Sequence, residues 1–281
     1  MGDNEDVEAY YNKRVAGKLA DFTGFNPRIE AAVETIAEWS PLRPKRVLEI
    51  GCGIGATSWR MARAWPEAEV IGADISRMSV EVAQACFRRP NLRYVAGAIE
   101  AGSLPGKFDL VVLMDVYEHI PPAERPALHG FVRAALADEA RVIMTVPTPA
   151  MQAWLHRDHP EAIQPVDEDI DLGVAETFAR ETQTDLVHYR QVGIWRYGDY
   201  AHLVFGRFSP APVIAREAKP SGLPGLKHRV KRLIGRTATD GEKDYLGYDF
   251  GRARTAERRR RFQVAARERR QIAAAWSNGR E

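Results

Sequence analysis

The amino-acid sequence predicts an α/β fold: a doubly wound seven-stranded sheet with an antiparallel edge strand, followed by a basic helical C-terminal tail. Three observations lead there. From Arg46 to Val146 short apolar runs alternate with segments of helical spacing, the pattern of buried parallel strands with helices on both faces. A glycine cluster, Gly51, Gly53 and Gly55, follows the first apolar run directly. Past Pro149 the alternation stops, and two strand-like runs close the sheet.

In chain order, residues 1–40 read as an N-terminal helical cap, with helical spacing over Val7 to Leu19 and Pro27 to Trp39 (Ile29, Val33, Ile36, Ala37). Pro41 and Pro44 end it. The main domain, 41–208, opens with the strand Arg46 to Ile50. Helices are expected over Thr57 to Trp65, Ser79 to Phe87 and Glu124 to Ala137. Further strands are expected at Glu69 to Ala73, Leu92 to Ala96, Phe108 to Leu113 and Ala140 to Val146. Ala150 to Asp171, rich in Pro, His and acids, reads as a connection. A helix over Val174 to Glu181 then precedes strands at Asp185 to Ile194 and Tyr200 to Phe208. Four prolines between Ser209 and Pro224 mark a linker into the extension 209–281.

Composition narrows the function. With 281 residues, 45% of them hydrophobic, the chain can bury a sizeable core. It has no apolar run of 18 residues and an acidic start, so a cytoplasmic protein is expected, with at most peripheral contact with a membrane. Cys52 and Cys86 offer neither a disulfide framework nor a zinc spacing. The net charge of +2 hides an asymmetry: residues 209–281 hold 18 Lys/Arg against 8 Asp/Glu. A basic tail on an acidic body suits an anionic partner or a docking surface on the body itself.

The chemistry lies in the glycine turn. A glycine-rich turn between strand and helix lets the backbone approach a ligand closely and presents free N–H groups. The spacing Glu49-Ile50-Gly51-Cys52-Gly53-Ile54-Gly55 is GxGxG with an acid two residues before it, unlike the GxGxxG of nicotinamide enzymes. A pyrophosphate would be repelled by that acid. A nucleoside without phosphates fits better: its cationic end lies near Glu49, and its ribose hydroxyls are held by Asp74 at the end of the second strand.

Val47 to Gly55, Asp74, and Phe108-Asp109-Leu110-Val111-Val112 through Glu118-His119-Ile120 resemble the motifs of class I S-adenosylmethionine-dependent methyltransferases. The nearest subgroup is that of the ubiquinone-type, small-molecule and sugar O-methyltransferases. The resemblance covers about residues 30–208 and implies a Rossmann-like fold and S-adenosyl-L-methionine as cofactor. It also implies that Ile75, Met78, Asp115 and Val116 run along the cofactor, with Tyr10 and Tyr11 on a helix folding over it; plain helix packing is the other reading of these tyrosines. At the usual adenine-contacting acid the chain has Ala98. Either Glu100 substitutes, or the Ile99 backbone and apolar contacts hold the adenine.

Methyl transfer from a sulfonium is a direct displacement that needs alignment and exclusion of water. A hydroxyl nucleophile must also lose a proton, and His119, after the fourth strand, is the first candidate as base or orienting residue. The other reading is that it caps the loop before Pro121. His156 and His159 come second. Their HxxH spacing, with Asp167, Glu168, Asp169 and Asp171 downstream, holds ligand types a divalent cation would accept, although such surface loops commonly carry none, and no metal is assigned. His188 and His202 read as packed or solvated strand residues.

In the tail, Leu223, Leu226, Val230, Leu233 and Ile234 share one helical face among basic residues. This amphipathic helix, 223–236, suits either docking on the body or an anionic membrane surface. Thr255 to Trp276 reads as a helix exposed to solvent or to a partner. The expected acceptor is a small hydroxylated molecule: a sugar, a glycan end, or a lipid-linked or secondary metabolite. An RNA methyltransferase using the tail, or a cofactor-binding subunit without catalysis, are the alternatives; no RNA-binding motif accompanies the arginines.

Overall fold

The computed structural model describes residues 10–99, 103–207 and 252–278. A short helical turn at Tyr10–Asn12 breaks at Lys13–Arg14. Helices α1 (Val15–Thr23) and α2 (Pro27–Trp39) follow. The expected first helix is thus split, and its second half runs on to Thr23. Asn26 caps α2 by accepting from the backbone N–H groups of Arg28 and Ile29, with Pro27 in the first turn, where no N–H is needed.

The sheet contains β1 (Arg46–Ile50), β2 (Glu69–Asp74), β3 (Leu92–Ala96), β4 (Phe108–Met114), β5 (Leu136–Pro147), β6 (Asp185–Val192) and β7 (Tyr200–Gly206). Their spatial order is β3-β2-β1-β4-β5-β7-β6. The first five run parallel, and β7 is inserted antiparallel between β5 and β6. Helices α3 (Ala56–Ala64), α4 (Arg77–Cys86), α5 (Arg125–Ala135), α6 (Pro149–Asp158) and α7 (Leu172–Thr182) flank it. The chain leaves β1 toward β2 on one side and returns to β4 on the other, so a crevice opens at the carboxyl ends of β1, β2 and β4, where open α/β sheets bind ligands.

Two apolar layers fix the sheet. On one face Leu48, Ile71, Val111, Leu113, Val142 and Met144 pack with Phe131 and Phe178 of α5 and α7. On the other, Val47, Val70, Leu110 and Ile143 meet Val33, Ile36 and Met61 of α2 and α3. These central strands read as continuous apolar runs because both faces are covered.

Two expectations are corrected. Ala150 to Asp171 is not simply a connection, since α6 occupies its start; Thr148 caps it by accepting from the N–H of Met151, and Pro149 takes the first turn. The segment Thr255 to Trp276 is not an exposed helix either. It forms α8 (Arg252–Phe262) and α9 (Ala266–Asn278), which pack on α2, α3, α4 and α1. Phe262 and Val264 are buried, and Ile272 and Trp276 join Val15, Phe22 and Phe87 in a third apolar cluster. Two of the arginines face inward as well: Arg258 donates to the carbonyl and hydroxyl of Ser40, and Arg269 to the carbonyls of Gly24 and Val264 and to Glu30. The 223–236 amphipathic segment and Glu100 lie outside the described residues. Among the described residues no helix is long and apolar enough to cross a membrane.

Candidate active site

The glycine turn begins where β1 ends. Gly51, Gly53 and Gly55 all adopt left-handed backbone, at φ of +72°, +54° and +85°. At Gly51 a Cβ would lie 2.2 Å from a methyl of Val116, so that residue must be glycine on two counts. The N–H groups of Gly51 and Cys52 donate to the Ala73 carbonyl at 2.7 and 3.0 Å, tying the turn to the end of β2. Asp74 then accepts from Gly53 N–H at 2.6 Å and Ser76 N–H at 2.9 Å. Its carboxylate is fixed at the crevice floor with lone pairs to spare.

Glu49, almost fully buried, accepts from the Ser58 hydroxyl. Burial, opposed by the Ser58 bonds and reinforced by Asp74, pushes its carboxyl up to about 8. Cys52 is buried beside both acids, and that burial and their charges push its thiol far up, away from the thiolate form.

The N-terminal segment closes over the turn. Asn12 Oδ1 accepts from the Ser76 hydroxyl at 2.7 Å and the Met78 N–H at 3.3 Å. Lys18 reaches to where a Gly53 Cβ would stand, 3.3 Å away, and lies 5.1 Å from the centre of the Tyr11 ring. Ile75 and Met78 are half-buried beneath this segment, and Tyr11 stands edgewise to Tyr10 and 6.5 Å from the His119 ring. At the end of β3, Gly97 donates to the Asp74 carbonyl; Ala98 is exposed, while Ile99 leans on the core.

A second cluster forms past β4. Asp115, at a positive φ of +53°, pairs with Arg28 and accepts from the Thr145 hydroxyl at 3.2 Å. A 3₁₀ turn, Tyr117–His119, follows. His119 Nδ1–H donates to the Val166 carbonyl at 2.8 Å, and its Nε2 accepts from the Gln164 amide at 2.8 Å. Both ring nitrogens are thus engaged, and burial holds the ring's pKa below the ordinary histidine value. Asp167 lies 3.6 Å from Nδ1 and is held by the Gln152 amide at 2.6 Å.

His156 and His159 stand elsewhere, at the exposed end of α6, where His159 pairs with Glu161 and packs on Trp154. The HxxH pair does not meet the downstream carboxylates: among the described residues no group of three His, Cys, Asp or Glu is placed to hold a metal ion. His188 stacks on Trp39, and His202 is buried against Thr35.

Lys18, Arg28 and Gln164 are not singled out by sequence, and Asp167, read there only with the HxxH pair, stands beside His119 instead. Only Asn26-Pro27, a helix start that puts Arg28 in a first turn, carried any local signal.

The sheet order, with the glycine turn at its switch point and an acid ending β2, defines a Rossmann-like fold. Residues 47–139 match the family described as the methyltransferase domain. The mitochondrial ubiquinone biosynthesis O-methyltransferase of Schizosaccharomyces pombe is 36% identical over 98 residues, 33% of this chain and 35% of that one. The trans-aconitate 2-methyltransferase of Pseudomonas aeruginosa is 33% identical over 99 residues, 34% of each chain. The chain thus spans about a third of the length of the curated relatives it matches. Among solved structures, magnesium protoporphyrin IX methyltransferase from Synechocystis, with SAH bound, superposes with a TM-score of 0.57 at 19% identity. That match covers 73% of this chain and all of the other, and shows a shared fold.

Proposed function

We propose that the chain transfers a methyl group from S-adenosyl-L-methionine to a hydroxyl of a small acceptor, such as a sugar, a glycan end, or a lipid-linked or secondary metabolite. One observation carries the reading: two buried acids, Glu49 and Asp74, flank a glycine turn whose tight backbone admits a ligand. The donor set fits a zwitterionic nucleoside. Glu49 suits the ammonium, Lys18 the carboxylate, Asp74 the ribose diol, and Ile99, Ile75 and Met78 the adenine and its edge. Bound there, the cofactor supplies an electrophilic methyl on a sulfonium sulfur. The chain's own residues align the acceptor and keep water out, the larger part of what a displacement needs. In this reading Val116 and Asp115 line the passage between the two clusters, Tyr11 covers it, and His119 orients the acceptor side through its bonds to Val166 and Gln164.

Titration calorimetry with S-adenosylhomocysteine tests the reading. Saturable binding is expected, weakened at least tenfold by Asp74→Ala, since a hydrogen bond to a charged group contributes about 1.5–3 kcal/mol. Absence of binding by the wild-type chain would sink it.

A further inference from the structure

The cluster past β4 contains one group that every other member leaves alone. Glu118 is 1% exposed, and neither carboxylate oxygen has a hydrogen-bond donor from another residue among the described residues. Native interiors rarely leave a buried carboxyl so placed without a function for it. Its neighbours arrive from every element around it: Asp115 from the end of β4, Arg28 from α2, Asp167 from the loop after α6, Tyr11 from the N-terminal segment, Tyr200 from β7, and His119 beside it, with Nε2 at 3.6 Å. In the methyl-transfer reading these residues bound the acceptor side of the crevice. Arg28 pairs with Asp115, Asp167 accepts from the Gln152 amide and the Gln164 N–H, and both His119 nitrogens are engaged by Val166 and Gln164. Of the carboxylates and the imidazole in this cluster, Glu118 is the one whose polar atoms have no hydrogen-bond partner on another residue among the described residues.

We infer that Glu118 is the proton acceptor of the reaction: it receives a hydrogen bond from the acceptor's nucleophilic hydroxyl and takes its proton, with His119 as a positioning residue beside it. The inference rests on the methyl-transfer reading above. In the balanced step the hydroxyl oxygen forms a bond to the methyl carbon as the carbon–sulfur bond breaks and its electron pair returns to sulfur. The hydroxyl proton passes to the Glu118 carboxylate and later to solvent. The surroundings suit this task. Burial and the nearby Asp115 raise the carboxyl's pKa well above the ordinary value, while its own backbone N–H and Arg28 pull it down, and a carboxylate made more basic is a stronger proton acceptor.

The test uses the full chain saturated with S-adenosylhomocysteine and 4-nitrocatechol as a hydroxylated probe, at a pH below the probe's own pKa. Ionisation of the bound probe is read directly from its visible spectrum. The wild type is expected to show the ionised band, Glu118→Gln to lose it at least tenfold with S-adenosylhomocysteine affinity unchanged, and Glu118→Asp to restore part of it. A band that survives in Glu118→Gln, a wild type that never ionises the probe, or an aspartate variant as silent as the glutamine one would each overturn the inference. A wild-type chain that fails to bind S-adenosylhomocysteine would take the methyl-transfer reading down with it, and that failure is visible separately in calorimetry.

Discussion

At the scale of single residues, the glycine turn separates backbone need from space. Gly51→Ala would drive a Cβ into Val116 at 2.2 Å and force alanine into left-handed backbone. Gly53→Ala meets only the flexible end of Lys18 at 3.3 Å and should cost about 1–2 kcal/mol for the backbone alone. The expected order is therefore a large loss of melting temperature and of S-adenosylhomocysteine binding for Gly51→Ala, and a modest one for Gly53→Ala. Equal losses would contradict the contact with Val116. Glu49 gives a pH signature. With its carboxyl raised to about 8 by burial, the folded chain holds a proton that the unfolded chain gives up near 4.5. Its contribution to stability is full below about 4.5 and is lost as pH rises toward 8. Glu49→Gln should flatten that part of the stability profile. An ammonium arriving at Glu49 would displace the proton, so binding near neutral pH should release it, and the calorimetric heat should depend on the buffer's ionisation enthalpy. A buffer-independent heat would remove Glu49 from the ligand's cationic end.

Among the elements, the sheet was the most legible part of the sequence, because strands buried on both faces leave continuous apolar runs such as Val47-Leu48 and Leu110-Val111-Val112-Leu113, separated by glycine or proline. Helix α6 was hidden, although Thr148-Pro149 spelled its start, because the charged and histidine-rich stretch behind it offers little apolar periodicity. Helices α8 and α9 were misjudged for another reason. Their arginines look solvated in sequence, but Arg269 finds Gly24, Val264 and Glu30, partners more than two hundred residues away except for Val264. Glu30 also receives a two-pronged contact from buried Arg60, so Arg269 completes a three-residue network between α2, α3 and α9. Arg269→Ala removes the contacts that hold α9 against the end of α1. A loss of about 1–3 kcal/mol of stability is expected, with faster amide hydrogen exchange over 15–23. Unchanged exchange there would mean that apolar packing alone fastens α1.

For the whole molecule, the candidate site divides by sequence distance. Glu49, Gly51 to Gly55 and Asp74 belong to two consecutive strand ends, so a spacing pattern could find them. Lys18, Arg28, Gln164 and Asp167 reach the same crevice only because the fold returns three separate segments to one edge of the sheet. The same geometry places α1 between the glycine turn and the tail. Just before it, Asn12 ties the segment to Ser76 and Met78, and on its outer side Ile272 and Trp276 of α9 share an apolar cluster with Val15, Leu19 and Phe22. A ligand entering the turn must move Lys18 and Tyr11, which means lifting this segment, and α9 opposes that movement from behind. Asn12→Ala and Arg269→Ala should therefore each speed S-adenosylhomocysteine dissociation, measured by stopped-flow displacement. Because both act on one segment, the double variant should be faster by less than the product of the two single effects, with a coupling of about 0.5–3 kcal/mol. Strictly multiplicative rates would mean that the tail and the ligand cover do not communicate through α1. α9 would then be a support for the fold alone.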